Sequence, residues 1–148
     1  EKKFTTINAQ SETAHEKPVF RGAFRHKRCL VPISGYYEWS VSGKTKTPFA
    51  FKLKNRRWFC VAGLWDAALI DGSEIQSFTI LTTKPNDFTA GIHDRMPVIL
   101  PREQWTGWLE GSEDEALALA RTCDLELAVE RTEALWASGA MPAQRPLI

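Results

Sequence analysis

One carboxylate lies among three aromatic rings in the segment Gly35-Tyr36-Tyr37-Glu38-Trp39. Apolar surroundings disfavour the charged form of a carboxyl group and so raise its pKa. A carboxyl group tuned toward neutrality is a useful general acid or base, which makes Glu38 a candidate catalytic residue. The simpler interpretation places Glu38 on the solvent face of a strand whose alternate aromatic residues pack inward, and these residues alone favour it.

A second candidate for proton transfer is His93, in the segment Ile92-His93-Asp94-Arg95-Met96-Pro97. Imidazole exchanges protons near neutral pH, and here it stands beside a carboxylate and a guanidinium group. The alternative is structural, with Asp94 and Arg95 forming a salt bridge that fixes a loop and His93 on the surface. Neighbouring residues of an extended chain point in opposite directions, so His93 and Asp94 need not act together.

The polar segment Ile7–Thr13 comes at the end of a predicted strand at Phe4–Asn8. Ser11 or Thr13 is able to cap the helix that follows, because a hydroxyl oxygen accepts hydrogen bonds from backbone N–H groups. Taken on its own, this segment is a helix entry and Asn8 is a turn residue.

Positive charge is concentrated in the first part of the chain. Residues 1–58 hold 13 lysines and arginines against four glutamates, whereas residues 59–148 hold six against 14 aspartates and glutamates. This asymmetry can give the fold a basic face for a phosphate backbone, unless the two halves interleave in space. The densest basic cluster consists of Arg21, Arg25, His26, Lys27 and Arg28. Both phosphate contact and a solvated helix face are open for it.

Six tryptophans offer flat rings that could stack on unpaired bases. Trp58 and Trp65 flank an apolar strand, while Trp105 and Trp108 have helical spacing. We therefore predict that most of the tryptophans belong to the core.

The elements that must position these residues are mainly strands. Segments rich in β-branched and aromatic residues occur at Phe4–Asn8, Cys29–Ile33, Tyr36–Ser40, Phe49–Leu53, Trp58–Leu64, Ser77–Thr82, Val98–Leu100 and Leu125–Val129. Helical spacing follows Pro18 and Pro101, which suit a first helical turn, and recurs at Glu113–Arg121. The pattern predicts an α+β fold with a mainly antiparallel sheet or barrel and a few short helices.

Length and composition fit one domain over residues 1–148, with a loose tail from Ala140 to Ile148. No stretch approaches the roughly 20 apolar residues of a membrane span, and no signal peptide is evident. We expect a cytoplasmic protein, associated with the nucleoid in a bacterium or nuclear in a eukaryote, without a membrane partner. The three cysteines are widely separated, so neither disulfides nor a zinc site are expected, and no cofactor is predicted.

Five segments in order closely resemble the motif series of the SOS response-associated peptidase-like (SRAP) family. They are INAQSET, CLVPISGYYEW, VAGLWD, FTILTT and IHDRMPVIL, within residues 7–100. The resemblance implies a single β-rich α+β domain, of which this chain is about the C-terminal two-thirds. It also implies that the protein recognises abasic sites in single-stranded DNA, and we expect it to be a monomer.

The resemblance further implies covalent capture of the abasic site. In this family the α-amine of an N-terminal cysteine attacks the ring-opened aldehyde and the thiol then closes a thiazolidine, which leaves a DNA–protein cross-link. By motif, Asn8 would position the cysteine and the sugar, Glu38 would shuttle protons during Schiff-base formation, and His93 would act as acid or base in closing or reversing the ring. AP-lyase and self-processing peptidase activities are further implications.

The resemblance also assigns DNA contacts, and the chain departs from the family at two places. Trp39, Thr82 and Arg95 match positions that line the DNA or lesion pocket, and Gln10, Arg21 and Arg28 complete the predicted contacts. Gln10 stands where the family usually has a phosphate-binding arginine, which should weaken DNA affinity. Residue 1 is glutamate, and Cys29 lies in a predicted strand, where it cannot supply a terminal amine. We therefore expect an N-terminal segment with the catalytic cysteine to precede these residues in the complete protein.

Two other functions stay open. One is a non-catalytic single-stranded DNA-binding module that has lost the cysteine. The other is a small hydrolase using Glu38 and Asp94, which would have to flank a substrate cleft roughly 5–10 Å apart. A Ser–His–Asp hydrolase fits less well, because no serine lies in a Gly-x-Ser-x-Gly elbow.

Overall fold

Nine strands, four α-helices and one 3-10 turn make up residues 7–132, the part of the chain that this computed structural model describes. The strands are β1 (Asn8–Gln10), β2 (Arg28–Ile33), β3 (Tyr36–Ser42), β4 (Thr45–Leu53), β5 (Phe59–Ile70), β6 (Ser73–Thr83), β7 (Met96–Pro97), β8 (Ile99–Leu100) and β9 (Leu127–Arg131). The helices are α1 (Ser11–Ala14), α2 (Arg21–His26), α3 (Trp105–Glu110) and α4 (Glu113–Leu119), and the 3-10 turn is Arg102–Gln104. The predicted α+β class is confirmed. The tail predicted at Ala140–Ile148 lies outside the described residues.

A mixed sheet of six strands carries most of the fold. Its main path runs β1-β6-β5-β2, with β7 added on β6 and β8 on β5. β1 is parallel to β6, and the other pairings of this sheet are antiparallel. β5 and β6 extend beyond their predicted lengths as one hairpin, whose turn residues Asp71 and Gly72 have φ of 50° and 81°. Positive φ at both positions matches the twist of the strands that they join.

A smaller antiparallel sheet contains β3, β4 and β9 in that order. Ser42 pairs with Thr45, so Gly43 and Lys44 form a two-residue turn, with φ of 59° at Gly43. Glycine adopts this backbone conformation without a steric penalty. The short turn keeps β3 and β4 in register.

Two apolar clusters lie on opposite faces of β5, because successive residues of a strand alternate between faces. Ala62 belongs to a cluster that includes Phe24 of α2 and Trp108 of α3. Val61 belongs to a second cluster that includes Phe51 of the small sheet. The first core therefore packs helices on the large sheet, and the second core fills the space between the two sheets. None of the four described helices has the length and hydropathy to span a membrane.

The assignment of most tryptophans to the core is only partly correct. Trp108 is fully buried, and Trp105 packs against the helix-side cluster. Trp58 and Trp65, however, are 55% and 38% exposed. Trp58 lies before the first residue of β5, and Trp65 lies beyond the buried half of that strand, so neither ring is covered.

The predicted helix starts near the N-terminus are wrong in detail. Pro18 lies in a turn before α2, which begins at Arg21. α1 begins at Ser11, and its N-cap, Gln10, makes no side-chain hydrogen bond. The Ser11 hydroxyl is buried in the helix without a partner, and the Thr13 hydroxyl is likewise unpaired, so neither caps the helix.

The basic and acidic halves of the chain interleave in space. Three ion pairs, Arg25–Glu113, Lys27–Asp66 and Lys54–Glu126, each join a cation before residue 59 to a carboxylate after it. Two of these cations belong to the predicted basic cluster. The pairing neutralises part of the charge that the composition alone would place on a basic face.

Candidate functional site

Glu38 and His93 meet at the edge of the core between the two sheets, and we call them the acid–base pair. The Nε2 atom of His93 lies 3.4 Å from Oε2 of Glu38. Glu38 comes from β3, and His93 comes from the loop between β6 and β7. Their neighbours Tyr36 and Ile92 pack against the core between the sheets. The side chains of the pair are 25% and 34% exposed, so the pair is anchored on one side and accessible on the other.

Burial raises the pKa of the Glu38 carboxyl above its ordinary value, the charge of His93 opposes that rise, and the charge of Asp94 adds to it. Half-buried and exposed residues alternate along β3. Glu38 and Tyr36 therefore lie on the half-buried face of this strand, and Trp39 lies on its exposed face. The solvent-face interpretation of Glu38 is therefore wrong. A carboxyl group that keeps its proton closer to neutral pH can donate it as well as accept it.

The second ring nitrogen of His93, Nδ1, contacts the backbone of Arg95. The Arg95 N–H and the Arg95 carbonyl oxygen each lie 3.1 Å from Nδ1. When Nδ1 accepts from the N–H, the ring proton is on Nε2 and faces Glu38. When Nδ1 donates to the carbonyl, Nε2 is free to accept a proton. The backbone thus supports both neutral tautomers, which suits a proton relay between His93 and Glu38.

A bidentate ion pair fixes the side chain of Arg95. Its Nη1 and Nη2 atoms lie 2.9 and 2.8 Å from Oε1 and Oε2 of Glu12. Nη2 also donates to the Thr82 carbonyl oxygen at 2.5 Å. These hydrogen bonds from Arg95 lower the pKa of Glu12. The structural alternative with an Asp94–Arg95 salt bridge is wrong, because Arg95 pairs with Glu12. Asp94 is 90% exposed and lies 3.5 Å from Nδ1 of His93.

Two buried residues that the sequence analysis did not single out, Asn86 and Thr89, hold the loop that presents His93. The Thr89 carbonyl oxygen accepts from the His93 N–H at 3.0 Å. The Thr89 hydroxyl lies 3.2 Å from Oδ1 of Asn86 and 3.5 Å from the Tyr36 hydroxyl. The Tyr36 ring stacks on Phe51 with centroids 4.8 Å apart. This chain of contacts joins the loop to β3, and the turn preference of asparagine is the signal that could have revealed it.

Asn8 and Gln10 lie on the exposed face of β1, on either side of buried Ala9. In the parallel pairing of β1 with β6, Asn8 is opposite Ile80 and Gln10 is opposite Thr82. Ile80 packs against the core between the sheets. Asn8 and Gln10 therefore project from the same face of the large sheet as the acid–base pair.

The two arginines predicted as DNA contacts have different environments. Arg21 is exposed on α2. Arg28 donates to the carbonyl oxygens of Phe24, Trp108 and Gly111, at the ends of α2 and α3. These bonds satisfy carbonyls that a helix end leaves without partners. The prediction that Arg28 contacts DNA therefore loses its physical basis.

The cysteines at positions 29, 60 and 123 are free, and burial raises the pKa of each thiol. The thiolate is the nucleophilic form, so these groups are poor nucleophiles. Within residues 7–132 no three His, Cys, Asp or Glu side chains are grouped so that they could hold a metal ion. The candidate reactive groups of this region are therefore the acid–base pair and the polar face of β1, which consists of Asn8 and Gln10.

The fold and the site together define a β-rich α+β domain with an acid–base centre between two sheets. The family model for the SOS response associated peptidase (SRAP) matches residues 1–134. Because this match covers most of the chain, the protein belongs to that family. The resemblance carried by the five sequence motifs is thereby confirmed.

Two curated relatives and one solved structure illustrate the match. The chain is 44% identical over 108 residues to the abasic site processing protein YoaM of Bacillus subtilis, covering 72% of this chain and 48% of the relative. It is 33% identical over 111 residues to the abasic site processing protein YMR114C of Saccharomyces cerevisiae, and the match covers 74% of this chain and 30% of the relative. A crystal structure of a protein from Bacteroides thetaiotaomicron matches with a TM-score of 0.85 and 34% identity, and the match covers 90% of this chain and 61% of that protein. The chain spans about half the length of the bacterial relative.

Proposed function

We propose that this chain belongs to an enzyme that processes abasic sites in single-stranded DNA. The observation that carries the proposal is the 3.4 Å approach of His93 Nε2 to Glu38, whose pKa is raised by burial. The bacterial and yeast relatives are named abasic site processing proteins, which supports abasic sites as the target. Asn8 and Gln10, on the exposed face of β1, are suited to hydrogen bonds with a sugar.

The first chemical step uses Glu38. A ring-opened abasic site carries an aldehyde at C1′, and addition of an amine gives a carbinolamine. The carbinolamine must lose its hydroxyl group as water to become a Schiff base. Protonated Glu38 is suited to supply that proton, and its raised pKa keeps the protonated form available closer to neutral pH.

We assign the nucleophile to an N-terminal cysteine of the longer protein. An α-amine has a pKa of about 8, so it is partly neutral where a lysine is charged. The cysteine thiol then adds to the carbon of the C=N bond and the nitrogen gains a proton, which closes a thiazolidine without a leaving group. His93 takes the thiol proton at Nε2 and returns it to the nitrogen. AP-lyase activity would branch from the Schiff base, and self-processing would expose the cysteine.

The remaining predicted residues contact or border the DNA in this proposal. Asn8 and Gln10 face the sugar from β1. Arg21 and Trp39, both exposed, are offered to the phosphate backbone and to a base. We place Thr82 and Arg95 at the border of the lesion-binding region. Because Glu12 neutralises the charge of Arg95, we assign to Arg95 the role of positioning His93. The hydrolase alternative receives no support from Asp94, which is exposed on the Nδ1 side of His93.

The test is covalent capture by the product of the complete natural reading frame. It is mixed with a single-stranded oligonucleotide that carries one abasic site, and the mixture is heated and resolved on a denaturing gel. We expect a retarded, heat-stable band, which Glu38→Gln and His93→Gln form about 10²- to 10⁴-fold more slowly. The matched control is Glu74→Gln, which removes an exposed carboxylate on the β5–β6 hairpin and should leave the rate unchanged.

Two results would contradict the proposal. If the complete protein forms no band, the enzymatic claim fails and a non-catalytic single-stranded DNA-binding module is the better description. If the band forms at the same rate in all three variants, capture occurs but Glu38 and His93 do not perform it. A duplex oligonucleotide with the same lesion tests the preference for single strands.

A further inference from the structure

A cleft of about 360 Å³ lies between the β4–β5 connection, residues 54–58, and the segment that follows β8. Its lining includes Trp58 and Trp105 together with three arginines, Arg56, Arg57 and Arg102. None of the residues of the acid–base pair or of the polar face of β1 belongs to this lining. The cleft is therefore separate from the candidate functional site.

The aromatic wall of the cleft is held rigidly. The Trp105 indole N–H donates to the Leu100 carbonyl oxygen at 2.9 Å. The guanidinium of Arg102 lies 5.9 Å from the centroid of the Trp105 ring. Trp58 packs against Trp105 with centroids 6.0 Å apart and an angle of 30° between the rings. Trp58 nevertheless remains 55% exposed, so a supported ring presents an open face to solvent.

The three arginines around this ring carry charges that no carboxylate of the described residues neutralises in an ion pair. Within residues 7–132 no ion pair includes Arg56, Arg57 or Arg102. By contrast Lys54, two positions earlier than Arg56, is paired with Glu126 at 2.5 Å. Glu103 is the acidic residue of the lining. The cleft therefore keeps an excess of positive charge beside an open aromatic surface.

We propose that this cleft binds an unpaired nucleotide of single-stranded DNA, with its base on Trp58 and its phosphates near the three arginines. Stacking on an aromatic ring and pairing of guanidinium groups with phosphates are the two interactions that single-strand binding combines. A duplex would not expose its bases to Trp58, and an acidic peptide would use the arginines without the ring. The choice of DNA rests on the proposed function, whereas the site itself rests on the geometry of the cleft.

The test uses the complete protein and an undamaged oligothymidylate, whose binding is followed by tryptophan fluorescence. We expect Trp58→Leu to weaken binding about tenfold or more, because stacking on one base is lost. The matched control is Trp65→Leu, which removes another partly exposed tryptophan outside the cleft and should bind as the parent does. Equal weakening by the two substitutions would overturn the proposal.

A second variant, carrying both Arg56→Gln and Arg57→Gln, tests the phosphate contacts independently of the ring. The slope of log affinity against log salt concentration should become less steep by about 1.4, because two phosphate contacts are lost. Lys44→Gln, in the exposed β3–β4 turn, is the control and should preserve the slope. An unchanged slope in the double variant would overturn the assignment of phosphates to the cleft.

Two further measurements separate this proposal from the proposed function. Glu74→Gln, on the exposed β5–β6 hairpin, should bind undamaged oligothymidylate as the parent does, because Glu74 belongs neither to the cleft nor to the acid–base pair. Binding that depends on Trp58 would support the cleft even if the complete protein captured no abasic site. Polyglutamate is the competing probe, and binding of polyglutamate with the same dependence on Trp58 would overturn the assignment to nucleotides.

Discussion

Glu12 and Arg95, 83 positions apart in the chain, are joined by two parallel hydrogen bonds of 2.9 and 2.8 Å. The backbone N–H and carbonyl oxygen of Arg95 in turn both lie within hydrogen-bond distance of Nδ1 in His93. Glu12 therefore acts on His93 through Arg95 and is a positioning residue of the proposed reaction. Its role is to hold a residue whose backbone supports the proton relay.

Replacing Glu12 tests this linkage. Glu12→Gln should lower the free energy of unfolding at pH 7 by about 1 kcal/mol, the upper range for a partly exposed ion pair. Hydrogen bonds from Arg95 lower the pKa of Glu12, so its contribution is present above its unfolded value near 4.5 and is lost as pH falls through the folded pKa. Urea denaturation should show a smaller difference between variant and parent at pH 3 than at pH 7. Glu16→Gln, in the same segment but 71% exposed, should show no such loss.

Glu38 should have the opposite dependence on pH. Burial raises its pKa, so the folded protein holds this proton more tightly than the unfolded chain, and the charged carboxylate costs stability as pH rises above 4.5. Glu38→Gln should therefore gain stability over the parent at pH 7 and lose that gain at pH 4, while abasic-site capture is impaired. Urea midpoints at the two pH values measure the effect, with exposed Glu110→Gln as the control. A difference from the parent that does not change with pH would contradict the raised pKa.

Arg21 and Arg28 should behave differently although both were predicted as DNA contacts. Arg28→Met leaves three helix-end carbonyl oxygens without their donors and should lower the free energy of unfolding by about 2–4 kcal/mol. Arg21→Met should change stability by less than about 0.5 kcal/mol but make the salt dependence of single-stranded DNA binding less steep by about 0.7 in slope. Thermal unfolding and binding at several salt concentrations separate the two. Destabilisation by Arg21→Met as large as that by Arg28→Met would refute the distinction.

Gly35 precedes β3 at a point where two backbones approach closely. A Cβ atom there would lie 2.6 Å from the Phe51 carbonyl oxygen, so Gly35→Ala must shift β3 and should cost about 1–3 kcal/mol. The shift would also carry Glu38 away from His93, so capture should fall in protein that is still folded. Gly22→Ala is the matched control, because open space surrounds Gly22 and alanine in a helix should add about 0.5–1 kcal/mol. Denaturant titrations and gel-based capture rates measure both effects.

Several parts of the fold were predictable from local patterns. Runs such as Cys29–Ile33 and Phe49–Leu53 carry enough β-branched and aromatic residues to predict strands. The helix Glu113–Leu119 begins with a capping box formed by Ser112 and Glu115. Local patterns do not show how far a hairpin extends past the core. That is why Trp65 was expected to be buried although β5 continues beyond the packed layer.

The candidate site was predictable only in part. The chemistry of Glu38 and of His93 could be inferred from each segment, but their meeting was implied by the family resemblance, because their positions lie on elements whose packing no local pattern describes. For Arg95, the structural alternative offered its sequence neighbour Asp94 as the partner, whereas the structure pairs it with Glu12. A bidentate partner 83 positions away depends on tertiary structure, and the sequence carries no local signal for it.

The last strand of the small sheet has a consequence for synthesis of the protein. Within the described residues, the proposed site lies between Asn8 and Arg95. However, β4 is paired on its outer side by β9, at Leu127–Arg131, and Leu127 is part of the core behind the site. A nascent chain that has emerged from the ribosome only as far as Arg95 holds every reactive group but cannot complete this sheet. We expect the site to assemble only after Leu127–Arg131 has emerged, so that a product ending before this strand would not engage damaged DNA.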